Sequence, residues 1–410
     1  MKATDAQATR APVLLFALAT GVIVQGLYVA QPLVGAIAAT LGLPAAAISL
    51  VSTLALLGYA LGLFLLVPLC DLVESRRLVL FTLVANVLAL LAAALPIPAP
   101  MFLAASLLAG LTATAIQMLI PLAAAMTTES QRGRVIGNIT SGMMLGIMLS
   151  RPLASMIGGH WGWRASYVVL ALAVATLAAL LGRSMPRLPP LQRMSYPALL
   201  SSLARLWREE PMLRRRALSV AFCFGAFSAF WSLVALRLAS APFDLGADGI
   251  ALFALAGVSG AVSAPLAGRL GDAGKARVAM RASHACIVLA AALAWLGGTM
   301  AAPSRGLATL LAAAVLLDAG TIGDLTLGRR EVNLIRPEAR GRINGLYTGV
   351  FFIGGAAGSA LAGLAWARAG WSGACLVALG FAVAALACGL RRDDVAAIRP
   401  PRPCPGTALR

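Results

Sequence analysis

Charged side chains stand inside long apolar stretches of this chain, and they are the residues whose types could do chemistry. Arg151 lies in GMMLGIMLSRPLASMIGG, residues 142–159, with no acidic residue in the same stretch. A guanidinium at such depth costs several kcal/mol unless it is paired or hydrated, and arginine effectively never loses its proton. We therefore expect Arg151 to bind an anionic group of a ligand, to pair with an acid that carries protons, or to hold backbone carbonyls as a structural residue.

Asp318 and Asp324 are the acids that could pair with Arg151, because the first half of the chain has no acid within its apolar cores. Six residues along a helix turn through about 240°, so the two aspartates do not share a face. Burial disfavours an ionised carboxylate and a nearby arginine favours it, which is the balance that a reversible proton site needs. Asp318 is the first candidate proton carrier, with a backbone-bonded structural role as the alternative. Asp324 is a second candidate, for which a helix-end charge near the headgroups is the favoured interpretation.

Uncharged polar and aromatic residues could complete a ligand site. The candidate hydrogen-bonding residues are Tyr28, Gln31 and Gln117. Phe224, Phe227 and Trp231 fall on one helix face and could stack on an aromatic or cationic ligand. Helix packing is the more common reason for such a stripe, so both interpretations of Phe227 and Trp231 stay open.

The composition indicates which elements must position these residues. Of the 410 residues, 60% are hydrophobic and only 12% are charged, which soluble domains do not show. Apolar runs of about 20 residues are long enough for a helix to cross a hydrocarbon core of about 30 Å, so they predict an all-α membrane protein. The twelve predicted spans are 12–32, 46–68, 78–96, 101–126, 136–158, 165–183, 216–239, 248–268, 278–300, 305–327, 343–366 and 371–390.

Basic residues predict the orientation of these spans. With the N-terminus in the cytoplasm, 28 of the 33 Lys and Arg residues fall in cytoplasmic segments, so the positive-inside rule places both termini there, in a bacterial inner membrane. The net charge of +18 then reflects contact with anionic lipid. The sequence shows no basic surface interleaved with aromatic residues, which is the pattern that would indicate binding of nucleic acid. Six scattered cysteines without a CxxC pair predict neither a disulfide framework nor a metal site, and we expect no cofactor.

The chain repeats itself at an offset of 208 residues. RGRVIGNITSG, from Arg132, aligns without a gap to RGRINGLYTGV, from Arg340, and both copies continue to a Gly-Trp pair. The repeat predicts two homologous six-helix bundles. An amphipathic segment between them is expected to lie along the membrane surface. The predicted organisation is an N-terminal bundle at 1–183, a cytoplasmic linker at 184–215, a C-terminal bundle at 216–391 and a cytoplasmic tail at 392–410.

Two loops carry related charged motifs, VPLCDLVESRRLVL after the second span and APLAGRLGDAGKARV after the eighth. Each places an acid and then basic residues behind a Pro-Leu pair at a predicted cytoplasmic helix end. The first copy has Val67 and Glu74 where glycines would complete a Gly-x-x-x-Asp-(Arg/Lys)-x-Gly signature. The residues that carry the two motifs are Asp71, Arg76, Arg77, Gly268 and Asp272.

Twelve spans, two six-span repeats and these loop motifs resemble the major facilitator superfamily. Stretches such as GIMLSRPLAS, from Gly146, are similar to its bacterial twelve-helix branch of drug and metabolite efflux proteins. The chain departs from that branch in span 10, where Ile322, Gly328 and Arg329 stand in place of amides. The resemblance implies the major facilitator fold, with spans 1, 4, 7 and 10 around a central cavity. It also implies a gating role in which Asp71 faces the helix N-terminus of span 11.

The resemblance implies a monomeric secondary transporter and not an enzyme. Its partners would be a small-molecule substrate, protons and membrane lipid, and it would work by alternating access. Proton-coupled export of a drug or metabolite, as in multidrug antiporters, is favoured by a partial Gly-Pro-rich motif at Pro152, Gly158 and Gly159. Proton-coupled uptake of a small organic anion is the alternative, because Arg151 would suit such a substrate.

An intramembrane serine protease is an alternative from a different class, and a non-transporting sensor that binds ligand without flux is another. Gly257-Val258-Ser259-Gly260 matches a Gly-x-Ser-Gly motif, and His284 lies on the next predicted span. A Ser–His pair could activate a nucleophile. Four small residues are common in membrane helices, however, so this motif is weak on its own.

Overall fold

The computed structural model describes residues 2–186, 195–336 and 339–390. Within these ranges the secondary structure consists of helices only, which confirms the all-α prediction. The first half contains α1 (Lys2–Gln25), α2 (Val34–Leu41), α3 (Leu50–Leu65), α4 (Ser75–Ala94), α5 (Ala99–Ala113), α6 (Ala115–Ala125), α7 (Glu129–Trp161) and α8 (Trp163–Ser184). The rest contains α9 (Tyr196–Glu209), α10 (Pro211–Trp231), α11 (Val234–Leu238), α12 (Ala247–Ala254), α13 (Ser259–Asp272), α14 (Ala276–Thr299), α15 (Pro303–Val332) and α16 (Arg340–Leu390).

In the described ranges nine helical segments are long and apolar enough to cross a membrane. One of them, α16, has 51 residues and is broken at Ala369 and Gly370, where Gly370 takes a φ of +55°. That break falls between the last two predicted spans and separates two helices. The count of twelve stays a prediction, because it also needs α7 and the shorter apolar part of α1, Val13–Gln25.

Several predicted continuous spans are interrupted. The first span was expected at 12–32, but α1 ends at Gln25 and residues 26–33 form successive turns. Pro32, which has no backbone N–H to donate, contributes to this break. The fourth span divides at Thr114, whose hydroxyl bonds back to the Leu111 carbonyl, a contact that bends helices. The seventh divides after Trp231, and the eighth is divided by the 3-10 turn Leu255–Val258.

Close helix crossings hold each half together. Gly21 of α1 packs directly against the backbone of Gly142 and Gly146 of α7. A Cβ at any of these positions would overlap the facing helix, so only glycine permits this approach.

The two halves of the chain meet along two helix pairs. On one side α3 packs against α16, where the rings of Tyr59 and Phe352 lie 4.4 Å apart. On the other side α7 packs against α12, and the Ser155 hydroxyl donates to the Ala247 carbonyl at 2.7 Å. Residues near the centre of the molecule are therefore enclosed by elements from both halves.

The amphipathic helix α9 packs on the protein. Its apolar side chains Leu199, Leu203 and Leu206 are buried, and the Tyr196 hydroxyl donates to the Leu65 carbonyl at 2.9 Å. The helices α10 and α16 pack against α9, and the position of this segment along the membrane surface stays a prediction. The remainder of the linker at 187–194 and the predicted tail at 392–410 lie outside the described residues.

Candidate functional site

Arg151 lies at the centre of the molecule in an aromatic cage. It is 3% exposed, and its Nε donates to Gln31 Oε1 at 2.7 Å. Its guanidinium carbon lies 4.3 Å from the ring centroid of Trp231, 5.1 Å from that of Tyr28 and 5.4 Å from that of Phe227. Cation–π contacts strengthen when the cation is desolvated, so this cage stabilises a buried cation without neutralising it.

Asp318 of α15 faces this cage from the other half of the chain. It is 3% exposed. An ideal Cβ at Gly257 would lie 3.1 Å from Asp318 Oδ2 and 3.7 Å from Arg151 Nη1, so both groups adjoin the same glycine. No ion pair joins these two described side chains, and the Trp231 indole nitrogen approaches Asp318 without hydrogen-bond geometry. The carboxylate and the guanidinium are therefore neighbours separated by a gap.

Broken helices bring the cage together. Tyr28 and Gln31 lie in the turns that follow α1, Trp231 is the last residue of α10, and Gly257 lies in the 3-10 turn between α12 and α13. Helix interruptions at membrane depth are tolerated where they line a cavity. The cage thus occupies the place where such interruptions converge from both halves.

Buried polar atoms in the cage lack partners. Such atoms are rare in native interiors and identify places where a ligand, an ion or water completes the hydrogen bonding. Among the described residues, the unpartnered atoms of this site are Arg151 Nη2, Gln31 Nε2, Trp231 Nε1 and Asp318 Oδ2. The site therefore offers three donors and one acceptor to a small polar group.

A cleft of about 680 Å³ lies between α1 and α7. Its lining includes polar side chains, among them Arg134, Asn138 and Ser141, which a lipid-facing groove would not require. The lining of the cleft includes Gln25 and Leu149. In the sequence, Gln25 precedes Tyr28 by three residues and Leu149 precedes Arg151 by two. The cleft is large enough for a small organic molecule.

Gln117 lies outside the cage. Its Nε2 donates to the Tyr59 hydroxyl at 3.1 Å. Tyr59 is in turn buried against Phe352 of α16. Gln117 is thus placed at the contact between the two halves and not on Arg151, whereas Tyr28, Gln31, Phe227 and Trp231 all surround the guanidinium.

Asp324 belongs to a separate buried cluster. Its Oδ1 lies 2.9 Å from His284 Nε2, and its Oδ2 lies 3.6 Å from Cys223 Sγ. The Ser219 hydroxyl lies 3.1 Å from the same His284 nitrogen. Asp324 is 2% exposed, so it is not the headgroup-level charge that its position near a helix end indicated. Sequence spacing could not reveal this cluster, since its members come from three helices.

The first loop motif makes local contacts. Arg76 donates to the Gly182 carbonyl, and Arg77 pairs with Glu74 at 3.0 Å across one helical turn. Asp71 ends a 3-10 turn, and its side chain lies outside the described residues. The gating contact expected of Asp71 therefore stays a prediction.

The second loop motif connects two helices of the C-terminal half. Asp272 Oδ1, at the end of α13, pairs with Arg330 Nη1, near the end of α15, at 2.7 Å. Both side chains are substantially exposed, so the pair contributes little to stability by itself. A Cβ at Gly268 would meet no atom within 4 Å, so packing does not demand glycine there.

The geometry does not support the protease alternative. The Ser259 hydroxyl donates to the Val315 carbonyl at 3.2 Å. His284, its proposed base, instead lies against Ser219 and Asp324. A nucleophile and its base must be within hydrogen-bond reach of each other, and these two residues are engaged elsewhere.

The fold and the central cage define a polytopic helical membrane transporter, and comparison with known proteins agrees. The sequence model described as Major Facilitator Superfamily matches residues 16–328. A putative uncharacterized transporter, YgaY, of Escherichia coli (strain K12) is 34% identical over 365 residues, which are 89% of this chain and 91% of that protein. The chain therefore belongs to the major facilitator superfamily.

Two further comparisons extend this result. The probable transporter SCO4007 of Streptomyces coelicolor is 33% identical over 89% of this chain and 83% of its own length. The crystal structure of the nucleoside transporter NupG superposes with a TM-score of 0.71, at 14% identity, over 92% of this chain and 97% of that one. The structural likeness supports the fold, and the names of YgaY and SCO4007 say only that they are transporters.

Proposed function

We propose that this protein is a proton-coupled transporter of the bacterial inner membrane that exports a small organic molecule, a drug or a metabolite. The observation that carries the proposal is the pair formed by Arg151 and Asp318. Each charge is buried, each comes from a different half, and a gap separates them. Intramembrane charges arranged in this way are typical of ion and substrate pathways.

The proposed cycle uses the relative motion of the halves. Residues 1–183 and 216–391, six spans each with both termini in the cytoplasm, rock about the cage in a single monomer. When Asp318 is ionised, Arg151 attracts it across the gap. When Asp318 is protonated, that attraction disappears and Arg151 becomes available to substrate. The loop motifs with Asp71, Arg76, Arg77, Gly268 and Asp272 would favour one conformation over the other.

The two halves are in contact at the end predicted to be extracellular. Ser155 and Ala247 form that contact, and the lining of the α1–α7 cleft includes Arg134 and Ser141. A substrate from the cytoplasm would enter beside Arg134 and Ser141 and reach the cage through Leu149. Asp324 lies apart from this route, so Asp318 is the proton-carrying residue of the proposal.

Uptake of a small organic anion is the second candidate function. The free Arg151 Nη2 and the free Gln31 Nε2 are donors that a carboxylate or phosphate group could accept. A charge-assisted hydrogen bond to a buried arginine is strong. In that case proton and anion would enter together.

The test uses inverted membrane vesicles that are acidified inside. A panel of cationic drugs, organic anions and sugars is added, and collapse of the pH gradient is followed in wild type, Asp318→Asn and Asp244→Asn. Asp244 is exposed and serves as the matched control. Export predicts that one class collapses the gradient in wild type and Asp244→Asn but not in Asp318→Asn. Equal collapse in all three proteins would contradict the role of Asp318.

A further inference from the structure

A second buried cluster lies in the C-terminal half, away from the Arg151 cage. Cys223 of α10, His284 of α14 and Asp324 of α15 are each at most 2% exposed. One atom from each, the thiol sulfur, a ring nitrogen and a carboxylate oxygen, lies within 4.8 Å of the others. The proposed transport cycle uses none of these residues.

The donors and acceptors around His284 Nε2 do not match one another well. His284 Nε2 lies 2.9 Å from Asp324 Oδ1 and 3.1 Å from Ser219 Oγ. A protonated Nε2 has one hydrogen to share between two oxygens. An unprotonated Nε2 would face a carboxylate oxygen, which is also an acceptor. A cation beside Nε2 removes this conflict and leaves the proton on Nδ1, which is buried and has no hydrogen-bond partner among the described residues.

The ligand chemistry indicates the kind of cation. A thiolate, an imidazole and a carboxylate are the ligands of Zn²⁺, whereas Mg²⁺ and Ca²⁺ prefer oxygen alone. Zinc bonds of normal length in a tetrahedral site separate nitrogen from oxygen by about 3.3 Å and sulfur from oxygen by about 3.5 Å. In this cluster His284 Nε2 lies 2.9 Å from Asp324 Oδ1, and Cys223 Sγ lies 3.6 Å from the other carboxylate oxygen, Oδ2. The ligand atoms all lie within 4.8 Å of one another, so one ion can reach the three groups once the side chains rotate.

Charge balance also favours a divalent ion. A thiolate and a carboxylate together carry two negative charges, which one Zn²⁺ neutralises. Burying a neutral complex avoids the cost of burying isolated charges. Ser219, on the same helix as Cys223, can supply the fourth ligand through its hydroxyl.

We propose that Cys223, His284 and Asp324 bind a zinc-class divalent transition metal ion inside the C-terminal half. The ion joins α14 to α10 and α15, the helices that carry Trp231 and Asp318. It therefore acts as a structural clamp behind the central cage. This assignment does not depend on the direction of transport or on proton coupling.

The test measures metal in the intact purified protein, carrying no polyhistidine tag. Cells are grown with added Zn²⁺ or Co²⁺, and the protein is also incubated with each metal after purification, because buried ligands exchange slowly. We expect a stoichiometric metal content and, with Co²⁺, a thiolate-to-cobalt charge-transfer absorption band. Cys223→Ser should abolish the band and weaken binding by at least about 10-fold, since even indirect metal contacts are worth that much.

Cys286→Ser is the matched control, because Cys286 lies on α14 two residues from His284 and is only partly buried. It should keep both the metal and the band. Unchanged metal affinity in Cys223→Ser would show that the metal is adventitious and overturn the proposal, as would wild-type protein that takes up no metal by either route.

Thermal unfolding of wild-type protein gives a readout that needs no variant. Zn²⁺ should raise the unfolding temperature, Mg²⁺ should not, and a chelator should reverse the rise. If Zn²⁺ does not raise the unfolding temperature of metal-free protein and a chelator does not lower that of metal-loaded protein, the proposal is overturned even if Cys223→Ser fails to fold. Neither the metal content nor the unfolding temperature depends on transport. A failure of the transport assay would therefore not affect this test.

Discussion

Arg151 and Asp318 come from opposite halves of the chain and approach the same glycine, Gly257, without forming an ion pair. The position that a Cβ of Gly257 would take lies 3.1 Å from the carboxylate and 3.7 Å from the guanidinium. Gly257 therefore keeps open the gap between the two charges. A modest movement of one half against the other could close this gap or admit a ligand into it.

Replacement of Gly257 by alanine should impair transport and leave the fold intact. The added methyl group enters the gap and displaces one of the charged groups by several tenths of an ångström. Misplacement on that scale in a site that positions its ligand lowers the rate by about 10-fold or more. Initial transport rates in vesicles measure the effect. Gly380→Ala, on α16, is the control, since its methyl group meets no atom within 4 Å, and equal rates in both variants would refute a role for the gap.

Removal of one charge should destabilise the protein more than removal of both. Arg151→Gln leaves the Asp318 carboxylate buried without a cation, at a cost of about 3 kcal/mol. The double variant with Asp318→Asn should recover part of that loss, because the two changes are coupled. Thermal unfolding in detergent measures both effects. If the losses of stability caused by the two substitutions simply add in the double variant, the two side chains do not interact.

The stability of the Arg151→Gln variant should depend on pH. A buried carboxylate without a cation is tolerated when it is protonated, so the destabilisation of Arg151→Gln should shrink as the pH falls. The unfolding temperature of Arg151→Gln relative to Arg151→Gln/Asp318→Asn, followed from neutral to acidic pH, tests this. A difference that stays constant with pH would show that Asp318 is not the group responsible.

Closure of the end predicted to be extracellular should be reversible during transport. Ser155 of α7 and Ala247 of α12 are in direct contact. Cysteines at both positions, joined by a short bifunctional thiol reagent, should therefore cross-link readily and block transport. Each single cysteine treated with the same reagent is the control. Undiminished transport by the cross-linked protein would exclude the proposed rocking of the two halves.

The predicted topology can be checked separately. Reporter proteins active only in the cytoplasm, fused to either terminus, should both be active, because 28 of the 33 basic residues lie in segments predicted to face inward. A fusion within the loop at 240–246, predicted to face outward, should be inactive. Activity at that loop or inactivity at a terminus would contradict twelve spans with both termini inside.

Much of the central cage could be predicted from residue type alone. A guanidinium in an apolar stretch must have buried partners, and Tyr28, Gln31, Phe227 and Trp231 were polar or aromatic residues on other spans. Asp318 was predicted as a partner because the first half has no acid in its apolar cores. Helical periodicity also separated the faces of Asp318 and Asp324, which have different partners in the structure.

The rest depends on tertiary packing. Gly257 carries no side chain, so only the fold reveals that it adjoins both charges. The Cys223 cluster joins three helices, and periodicity gives the face of a residue but not its partner. The α9 helix was expected on the membrane surface because its amphipathic pattern is the same whether lipid or protein covers its leucines.

The most direct test of the central claim compares two kinds of transport in proteoliposomes, once the vesicle panel has identified a substrate. Exchange of labelled for unlabelled substrate needs no net proton movement, whereas accumulation against a gradient does. The account predicts that Asp318→Asn retains exchange and loses proton-driven accumulation, because a permanently neutral side chain can bind no proton. If Asp318→Asn accumulates substrate as wild type does, Asp318 is not the proton carrier and the coupling proposed here is wrong.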